Sequence, residues 1–197
     1  MGNTMGYKHN IEDIIDKGSE LFRRKGYNNV GINEILNTCE IPKGSFYNFF
    51  ETKEEFAEKV IAKYGEDSLS MISKALGEKE ISPLTRLKRF YAMLISSNEM
   101  DGFNAGCLVT NLSMEVGGFN QVISDATNRS FKLWVDEIAK CVAEGQDLGE
   151  IIDHVSPAEI AEYLHAGISG AFARMKVNKN REFLDTWYKL SFDYISK

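Results

Sequence analysis

The residues with the clearest chemical potential stand in the segment IPKGSFYNFFETKEEF, residues 41–56 of a chain of 197. If the segment contains a short helix, Phe46 and Phe50 fall on its buried side. Ser45, Tyr47 and Asn48 then face outward. Side chains of lysine, serine, tyrosine and asparagine donate hydrogen bonds to phosphates and base edges. A glycine beside them allows close backbone approach. The segment therefore predicts DNA contact through Lys43, Gly44, Ser45, Tyr47, Asn48 and Lys53.

Electrostatics supports two of these positions, and each has an ordinary structural alternative. Lys43 opens the predicted helix, where free N–H groups and the helix dipole attract a phosphate. Lys53 lies in the first turn of the next helix, where a cation opposes the dipole unless a phosphate is nearby. Alternatively, Tyr47 is a half-buried packing residue, both lysines are solvated, and Asn48 only ends a short helix.

The charge balance limits how DNA contact can be made. The chain has 23 Lys and Arg against 29 Asp and Glu, which gives a net charge of −6. Residues 1–63 carry 9 basic and 10 acidic residues, so the total hides no basic domain. Contact with DNA must therefore come from a few placed cations rather than from a basic surface.

Other classes of function lack their sequence signals. The chain contains no glycine-rich phosphate loop, HExxH motif or nucleophile elbow, so we expect no enzyme. Cys39, Cys107 and Cys141 do not have the spacing of zinc ligands, so we expect no metal or cofactor. No apolar run approaches the ~20 residues that span a bilayer, and no signal peptide is evident. These observations predict a cytoplasmic protein with no membrane partner.

Apolar residues recur with helical periodicity along nearly the whole chain, and the alternation typical of strands does not persist. We therefore predict an all-α fold of about nine helices. A first helix would begin near Ile11 and be followed by a second short helix. The turn at residues 39–42 would lead to a third helix, from Lys43 to about Phe49. This order is the helix-turn-helix layout, in which the third helix reads DNA.

The run LFRRKGYNNVGINEILNTCEIPKGSFYNFFETKEEFAEKVIAKY, residues 21–64, resembles the DNA-binding region of the TetR/AcrR family of bacterial transcription regulators. The resemblance implies a DNA-binding domain over residues 1–51 and a regulatory and dimerisation domain over residues 52–197. The helix that begins at residue 52 would link them. The resemblance also implies that Tyr47 and Lys53 contact phosphates.

Three positions depart from the family pattern. Glu40 stands where the turn glycine is usual, and Pro42 stands where a serine or threonine caps the reading helix. Gly31 stands where a hydroxyl residue often caps the second helix. Each missing capping bond would cost about 1 kcal/mol. These departures affect phosphate contacts at those positions rather than the fold.

The resemblance further implies a homodimer that represses transcription from a palindromic operator of double-stranded DNA and is released by an inducer that the sequence does not identify. The half-sites would lie roughly 34–36 Å apart. The last two helices are the expected dimer contact, because their apolar faces are wide and Gly167 and Gly170 permit close approach. The alternative is a helical dimeric binding module without DNA binding, which the acidic charge and the missing caps leave open.

Cys107 is the candidate sensor of a chemical signal. We predict that Asn104 caps a helix whose first turn contains Cys107, and a helix N-terminus stabilises the reactive thiolate. The segment GCLVTNLSMEV resembles the branch of the family that includes the N-ethylmaleimide reductase repressor, whose members respond to electrophiles or oxidants. We therefore expect an electrophile or oxidant to modify Cys107, with Lys176 as a candidate nearby cation. The alternative is a core cysteine without reactivity.

A second hypothesis is reversible binding of an apolar or aromatic molecule. Aromatic and other apolar residues of the middle helices could line a cavity for it. Each of them is more often an ordinary core residue, and His165 on an apolar face is more often a satisfied buried histidine. The candidates are Phe90, Tyr91, Met93, Phe103, Met114, Trp134, His165 and Phe172.

Overall fold

The computed structural model describes residues 10–197 and confirms the predicted all-α fold. Within these residues the only strand-like pairing is a single bridge between Ile151 and Ser196. None of the described helices has both the length and the apolar run that a membrane crossing requires. The nine helices of the described part are α1 (Ile11–Lys25), α2 (Ile32–Cys39), α3 (Lys43–Phe49), α4 (Lys53–Leu76), α5 (Pro83–Met100), α6 (Leu108–Val116), α7 (Gln121–Asp147), α8 (Pro157–Asn178) and α9 (Glu182–Ile195).

Helix starts follow local capping chemistry. The Thr52 hydroxyl accepts a hydrogen bond from the Glu55 N–H at 3.0 Å and opens α4. Ser156 and Glu159 form a reciprocal capping box before α8, and Pro157 occupies its first turn. Each cap satisfies backbone donors that the helix itself leaves unpaired. The long helices therefore begin where the sequence supplies these side chains.

Four phenylalanines hold α1, α3 and the start of α4 together. The Phe56 ring lies 4.9 Å from that of Phe50, 5.5 Å from Phe46 and 5.7 Å from Phe22, centroid to centroid. All four are buried. A Cβ at Gly18 would lie 2.3 Å from the Phe56 ring, so α1 can pack this closely on α4 only with glycine there. This aromatic cluster fixes the direction in which α3 projects.

The rest of the chain packs around α4 and α7. The Trp134 indole N–H of α7 donates to the Gly65 carbonyl of α4 at 3.0 Å. Near the end of α4, the buried Arg86 guanidinium donates to the Leu76 carbonyl and pairs with Glu144 at 2.7 Å. These contacts join α4, α5 and α7 into one core, which α8 and α9 extend.

Candidate DNA-binding surface and ligand cavity

The turn between α2 and α3 keeps its geometry despite the family departures. Glu40 has a φ of 57°, in the left-handed region that glycine occupies most easily. A side chain there costs about 1–2 kcal/mol. The Ile41 N–H still donates to the Leu36 carbonyl at 3.0 Å, which closes the end of α2. Pro42 precedes α3 with a φ of −69° and no side-chain cap.

The outward face of α3 is accessible. Lys43, Gly44 and Asn48 are exposed, and Ser45 is half-buried. Tyr47 is 46% exposed, and its ring contacts that of Phe46 edge-on with a centroid separation of 5.4 Å. A Cβ at Gly44 would meet no atom within 4 Å. The geometry therefore leaves the predicted DNA-facing side of α3 open to a partner.

Lys53 has a protein partner that the sequence did not indicate. Its ammonium donates to the Tyr27 carbonyl at 2.6 Å and lies 3.9 Å from the centroid of the Tyr27 ring. Burial lowers the pKa of Lys53. This contact explains why a cation stands in the first turn of α4 even when no phosphate is nearby. A phosphate would have to share the ammonium with Tyr27.

The turn after α1 is also held by Glu115 of α6. Its two carboxylate oxygens accept hydrogen bonds from the N–H groups of Tyr27 and Asn28, each at 2.7 Å. Gly26, with a φ of 79°, makes room for this carboxylate, because a Cβ there would lie 2.5 Å from a Glu115 oxygen. Sequence reasoning missed Glu115, since its partners are backbone groups without a side-chain signal.

Asn111, one turn earlier on α6, makes a second link to α1. Its side-chain amide donates to the Arg23 carbonyl at 3.2 Å and to the Ala105 carbonyl at 2.8 Å. The Lys176 ammonium of α8 donates to the Asn111 oxygen at 3.2 Å. We refer to Asn111 and Glu115 together as the α6 clamp. The clamp connects the helix-turn-helix unit to the helices that follow it.

Cys107 occupies a different position from the predicted one. It immediately precedes α6, as the N-cap residue, rather than lying in the first turn. Asn104 does not cap α6, because its amide donates to the Asp101 carbonyl and its oxygen accepts from Lys179. Gly106, with a φ of 69°, delays the start of the helix until Leu108. The Cys107 side chain is half-buried at the beginning of α6.

The three cysteines differ in their surroundings. Burial raises the pKa of Cys39 and raises that of Cys141 to about 11, so both thiols stay protonated. Cys107 instead lies at the wall of a cavity of about 230 Å³. Lys176 is nearby, since its Cδ lies 3.6 Å from the position that a Cβ at Gly106 would occupy. Burial lowers the pKa of Lys176.

The cavity brings together residues of α1, α4, α5, α6, α7 and α8. Tyr91, Trp134, His165 and Phe172 all line it, beside Cys107. Phe90 also lines it, whereas Met93, Phe103 and Met114 do not, and this placement corrects the prediction for those three residues. Phe103 has a φ of 59° and belongs to the turn that precedes Cys107. Sequence reasoning did not identify several further lining residues, namely Arg23, Tyr64, Ser68, Met71, Leu94, Ile138 and Ile168.

Most titratable groups of the cavity are neutral. Burial against the Phe131 and Trp134 rings lowers the pKa of His165 to about 4. Burial also raises the pKa of Tyr64, and the neighbouring Cys107 thiol adds to this effect. No group of three or more metal-ligating side chains occurs in residues 10–197. The site can therefore hold a small apolar molecule next to a thiol.

The last two helices expose an apolar face. Gly167 does not belong to it, because a Cβ there would lie 2.2 Å from the indole nitrogen of Trp187 in the same chain. A Cβ at Gly170 would meet nothing within 4 Å, so this position is open to a partner. The α8–α9 face consists of Tyr163, Ala166, Gly170, Val177, Leu190 and Tyr194.

Comparison with known proteins identifies the family. Residues 14–60 match the family of bacterial regulatory proteins named tetR, and residues 83–189 match the tetracyclin repressor-like C-terminal domain. The chain is 35% identical to the HTH-type transcriptional repressor DhaR of Mycobacterium sp. strain GP1 over 182 residues, which cover 92% of this chain and 90% of DhaR.

Solved structures agree with this assignment. A regulatory protein TetR from Rhodobacter sphaeroides superimposes with a TM-score of 0.88 at 30% identity, covering 93% of this chain and 97% of that one. The reduced form of Escherichia coli NemR shares the fold, with a TM-score of 0.87 at 23% identity over 94% of this chain and 96% of NemR. The relatives are regulators of transcription rather than enzymes. The chain therefore belongs to the TetR family of bacterial regulatory proteins and is a DNA-binding transcriptional regulator.

Proposed function

We propose that the protein is a cytoplasmic repressor that leaves its operator when an electrophile or oxidant modifies Cys107. The observation that carries the proposal is the position of Cys107. Its side chain lies at the wall of the cavity and directly precedes α6, the helix that carries the α6 clamp. A small molecule in the cavity can reach this thiol. Only one short helix, α6, lies between the thiol and the backbone of the DNA-binding unit.

The DNA contacts are proposed from the exposed side of α3. In a helix-turn-helix unit the second helix of the motif, here α3, inserts into the major groove, where its side chains reach phosphates and base edges. Residues 1–51 would form the DNA-binding domain and residues 52–197 the regulatory domain, with α4 continuous between them. The proposed contact residues are Lys43, Gly44, Ser45, Tyr47, Asn48 and, sharing its ammonium with Tyr27, Lys53.

A homodimer would present two copies of α3 to a palindromic operator. The α8–α9 face supports this arrangement, because exposed apolar residues lie beside the open position at Gly170. Small residues on a helix face allow a second helix to approach closely, and burial of such a face is favourable. Two protomers joined there would be related by a two-fold axis, as a palindrome requires.

For an electrophile, we propose conjugate addition at Cys107. The deprotonated thiol attacks the β-carbon of an α,β-unsaturated carbonyl compound and forms a carbon–sulfur bond. The electrons of the carbon–carbon double bond move to the enolate, whose α-carbon then takes up a proton. The net reaction transfers the thiol proton to that carbon and releases no leaving group. The adduct would occupy the cavity beside Trp134 and Phe172.

The α6 clamp supplies a physical route from the adduct to DNA. An adduct at Cys107 would displace the start of α6, and a short helix moves as a unit. Displacement of Glu115 would release the N–H groups of Tyr27 and Asn28, which are held at 2.7 Å. The turn between α1 and α2 would then lose its fixed position, and the two α3 helices of the dimer would lose their spacing.

The test is the affinity of the purified protein for its own promoter region, measured by fluorescence anisotropy at two salt concentrations with and without N-ethylmaleimide. We expect sequence-specific binding that weakens steeply with salt and is lost after treatment. The Cys107→Ser variant should bind DNA and ignore the reagent. The Cys141→Ala variant is the matched control, because its buried thiol lies outside the cavity lining, and it should respond like the wild type.

Mass spectrometry of the treated protein shows whether Cys107 carries the adduct, independently of the measured DNA affinity. A Cys107 adduct that leaves operator affinity unchanged would contradict sensing through Cys107. Specific DNA binding without any adduct would favour a reversible ligand in the same cavity. The absence of salt-dependent binding to the promoter would contradict the choice of operator.

A further inference from the structure

The Tyr64 hydroxyl lies beside the thiol of Cys107. Tyr64 belongs to α4, and its hydroxyl neighbours both the Cys107 thiol and the Leu108 N–H at the start of α6. Tyr64 and Cys107 both line the cavity, and both residues are half-buried. A molecule that bonds to the Cys107 sulfur therefore places its first atoms within reach of this hydroxyl.

Tyr64 is held in a form that donates a hydrogen bond. Burial raises the pKa of Tyr64, and the Cys107 thiol adds to this effect, so the hydroxyl keeps its proton at neutral pH. Its ring contacts the Trp134 ring edge-on with a centroid separation of 6.4 Å. The Trp134 indole donates to the carbonyl of Gly65, the residue after Tyr64 on α4. The hydroxyl therefore has a defined position before a reagent enters the cavity.

Two cations in the same region are already engaged by the protein. Arg23 lines the cavity, and its guanidinium pairs with Asp101 at 2.8 Å. Lys176 does not line the cavity, and its ammonium donates to a side-chain oxygen of α6 at 3.2 Å. Tyr64 is therefore a donor beside Cys107 that a bound molecule can engage without breaking an ion pair.

Conjugate addition moves negative charge from the sulfur to the reagent. When the thiolate attacks the β-carbon of an α,β-unsaturated carbonyl compound, charge develops on the carbonyl oxygen. The β-carbon, the α-carbon and the carbonyl carbon are all that separate this oxygen from the sulfur. A fixed donor next to the sulfur can therefore hydrogen-bond to the oxygen more strongly in the transition state than in the ground state.

We propose that Tyr64 is a catalytic hydrogen-bond donor that makes Cys107 selective for α,β-unsaturated carbonyl compounds over electrophiles without such an oxygen. The hydroxyl donates to the carbonyl oxygen, stabilises the enolate and keeps its own proton. The carbon–sulfur bond forms, and the α-carbon takes up a proton from water in place of the thiol proton that water received. This inference rests on the proposed function, to which it adds the class of reagent and a residue that selects it.

Two small reagents with different transition states test the inference on the whole chain. Methyl vinyl ketone reacts by conjugate addition, whereas allyl bromide alkylates the thiol by displacement of bromide and forms no enolate. Peptide mass spectrometry follows the rate of adduct formation at Cys107 for each reagent. Tyr64→Phe should slow the reaction with methyl vinyl ketone at least about ten-fold, because a donor to the developing oxyanion is lost. The rate with allyl bromide should stay nearly unchanged.

The matched control is Ser68→Ala. Ser68 also lines the cavity and lies one turn after Tyr64 on the same face of α4, so this change removes a different hydroxyl of the lining. Both rates should keep their wild-type values in this control. Because Tyr64→Phe keeps the aromatic ring, its rate with allyl bromide also shows whether the thiol is still accessible.

An equal fall of both rates in Tyr64→Phe would overturn the inference, because the effect would then lie on the thiol rather than on the reagent. Unchanged rates with both reagents would overturn it as well. Operator release is measured separately. A changed ratio of rates without release contradicts sensing alone, and release with an unchanged ratio contradicts the role of Tyr64 alone. If neither reagent modifies Cys107 in the wild type, both proposals fail.

Discussion

The proposed DNA-reading residues and the cavity residues stand in contrasting relation to the core. On α3, a helix of seven residues, Phe46 is the buried residue, and Tyr47 beside it is 46% exposed. In the cavity, Trp134 and Tyr91 are core residues and cavity-lining residues at once. Substitutions on α3 should therefore change binding without changing stability. Substitutions in the cavity should change both.

The largest expected effect is on the stability of the cavity region. Trp134→Ala should lower the free energy of unfolding by about 3–5 kcal/mol, because it leaves a void and removes the indole bond to the Gly65 carbonyl. Urea denaturation measures this change. Leu133→Ala, at a neighbouring residue that is 49% exposed, is the control and should cost less than about 1 kcal/mol. Equal losses would show that the cavity wall is not part of the core.

The next effect is a loss of stability in acid. His165 has a pKa of about 4 in the folded protein against 6.5 as its ordinary value, because burial disfavours the imidazolium. Below pH 6.5 the unfolded chain therefore binds a proton that the folded protein does not. Stability should fall as the pH drops from 6.5 to 4, by about 3 kcal/mol in total.

Denaturation curves across this pH range test the histidine. His165→Phe should remove that part of the pH dependence, whereas His154→Gln, at an exposed histidine, should keep it. An unchanged pH profile in His165→Phe would assign the acid sensitivity to other groups. We expect this pH dependence of the free energy of unfolding to come from His165 in the cavity rather than from residues of α3.

Glu115 connects the two regions, and its neutralisation should have an intermediate effect. Glu115→Gln removes the charge and one acceptor oxygen from the bonds to Tyr27 and Asn28, so we expect a loss of about 2 kcal/mol in unfolding free energy. Operator affinity should also decrease, and treatment with an electrophile should change it less than in the wild type. Glu99→Gln, in an exposed ion pair with Arg181, is the control and should cost less than about 1 kcal/mol. If the electrophile lowers the operator affinity of Glu115→Gln as much as that of the wild type, the α6 clamp does not transmit the signal.

The smallest effect is expected on α3. Tyr47→Phe should weaken operator binding by about 1 kcal/mol, the value of one hydrogen bond, and should change stability by less than about 0.5 kcal/mol. Fluorescence anisotropy and urea denaturation measure the two quantities. Ser70→Ala removes an exposed hydroxyl from α4, outside α3 and the α8–α9 face, and should leave operator affinity unchanged. Wild-type affinity in Tyr47→Phe would remove its hydroxyl from the DNA contacts.

The same contrast explains what the sequence could predict. The predicted bounds of α3 agree with the structure, and one helix determines which side chains of residues 43–49 face outward. The cavity lining is drawn from six helices, so membership depends on how they pack. Phe103 was wrongly predicted to line the cavity, and Asn104 was wrongly predicted to cap α6. Both lie in a turn with positive φ at residues 102, 103 and 106, which periodicity does not reveal.

Lys53 and Glu115 show a second limit of sequence reasoning. Their partners are the carbonyl of Tyr27 and the N–H groups of Tyr27 and Asn28, and these groups exist at nearly every position of a chain. A lysine or a glutamate on a helix therefore gives no sign that it will hold a particular turn. The contacts become visible only when α4 and α6 are packed against α1.

The most direct test of the account is hydrogen exchange at the amides of Tyr27 and Asn28, measured by NMR before and after Cys107 is modified with N-ethylmaleimide. Both amides donate to Glu115, so we predict slow exchange in the free protein and markedly faster exchange in the adduct, with the amides of α9 unchanged. Loss of operator affinity with unchanged protection at Tyr27 and Asn28 would contradict signal transmission through the α6 clamp.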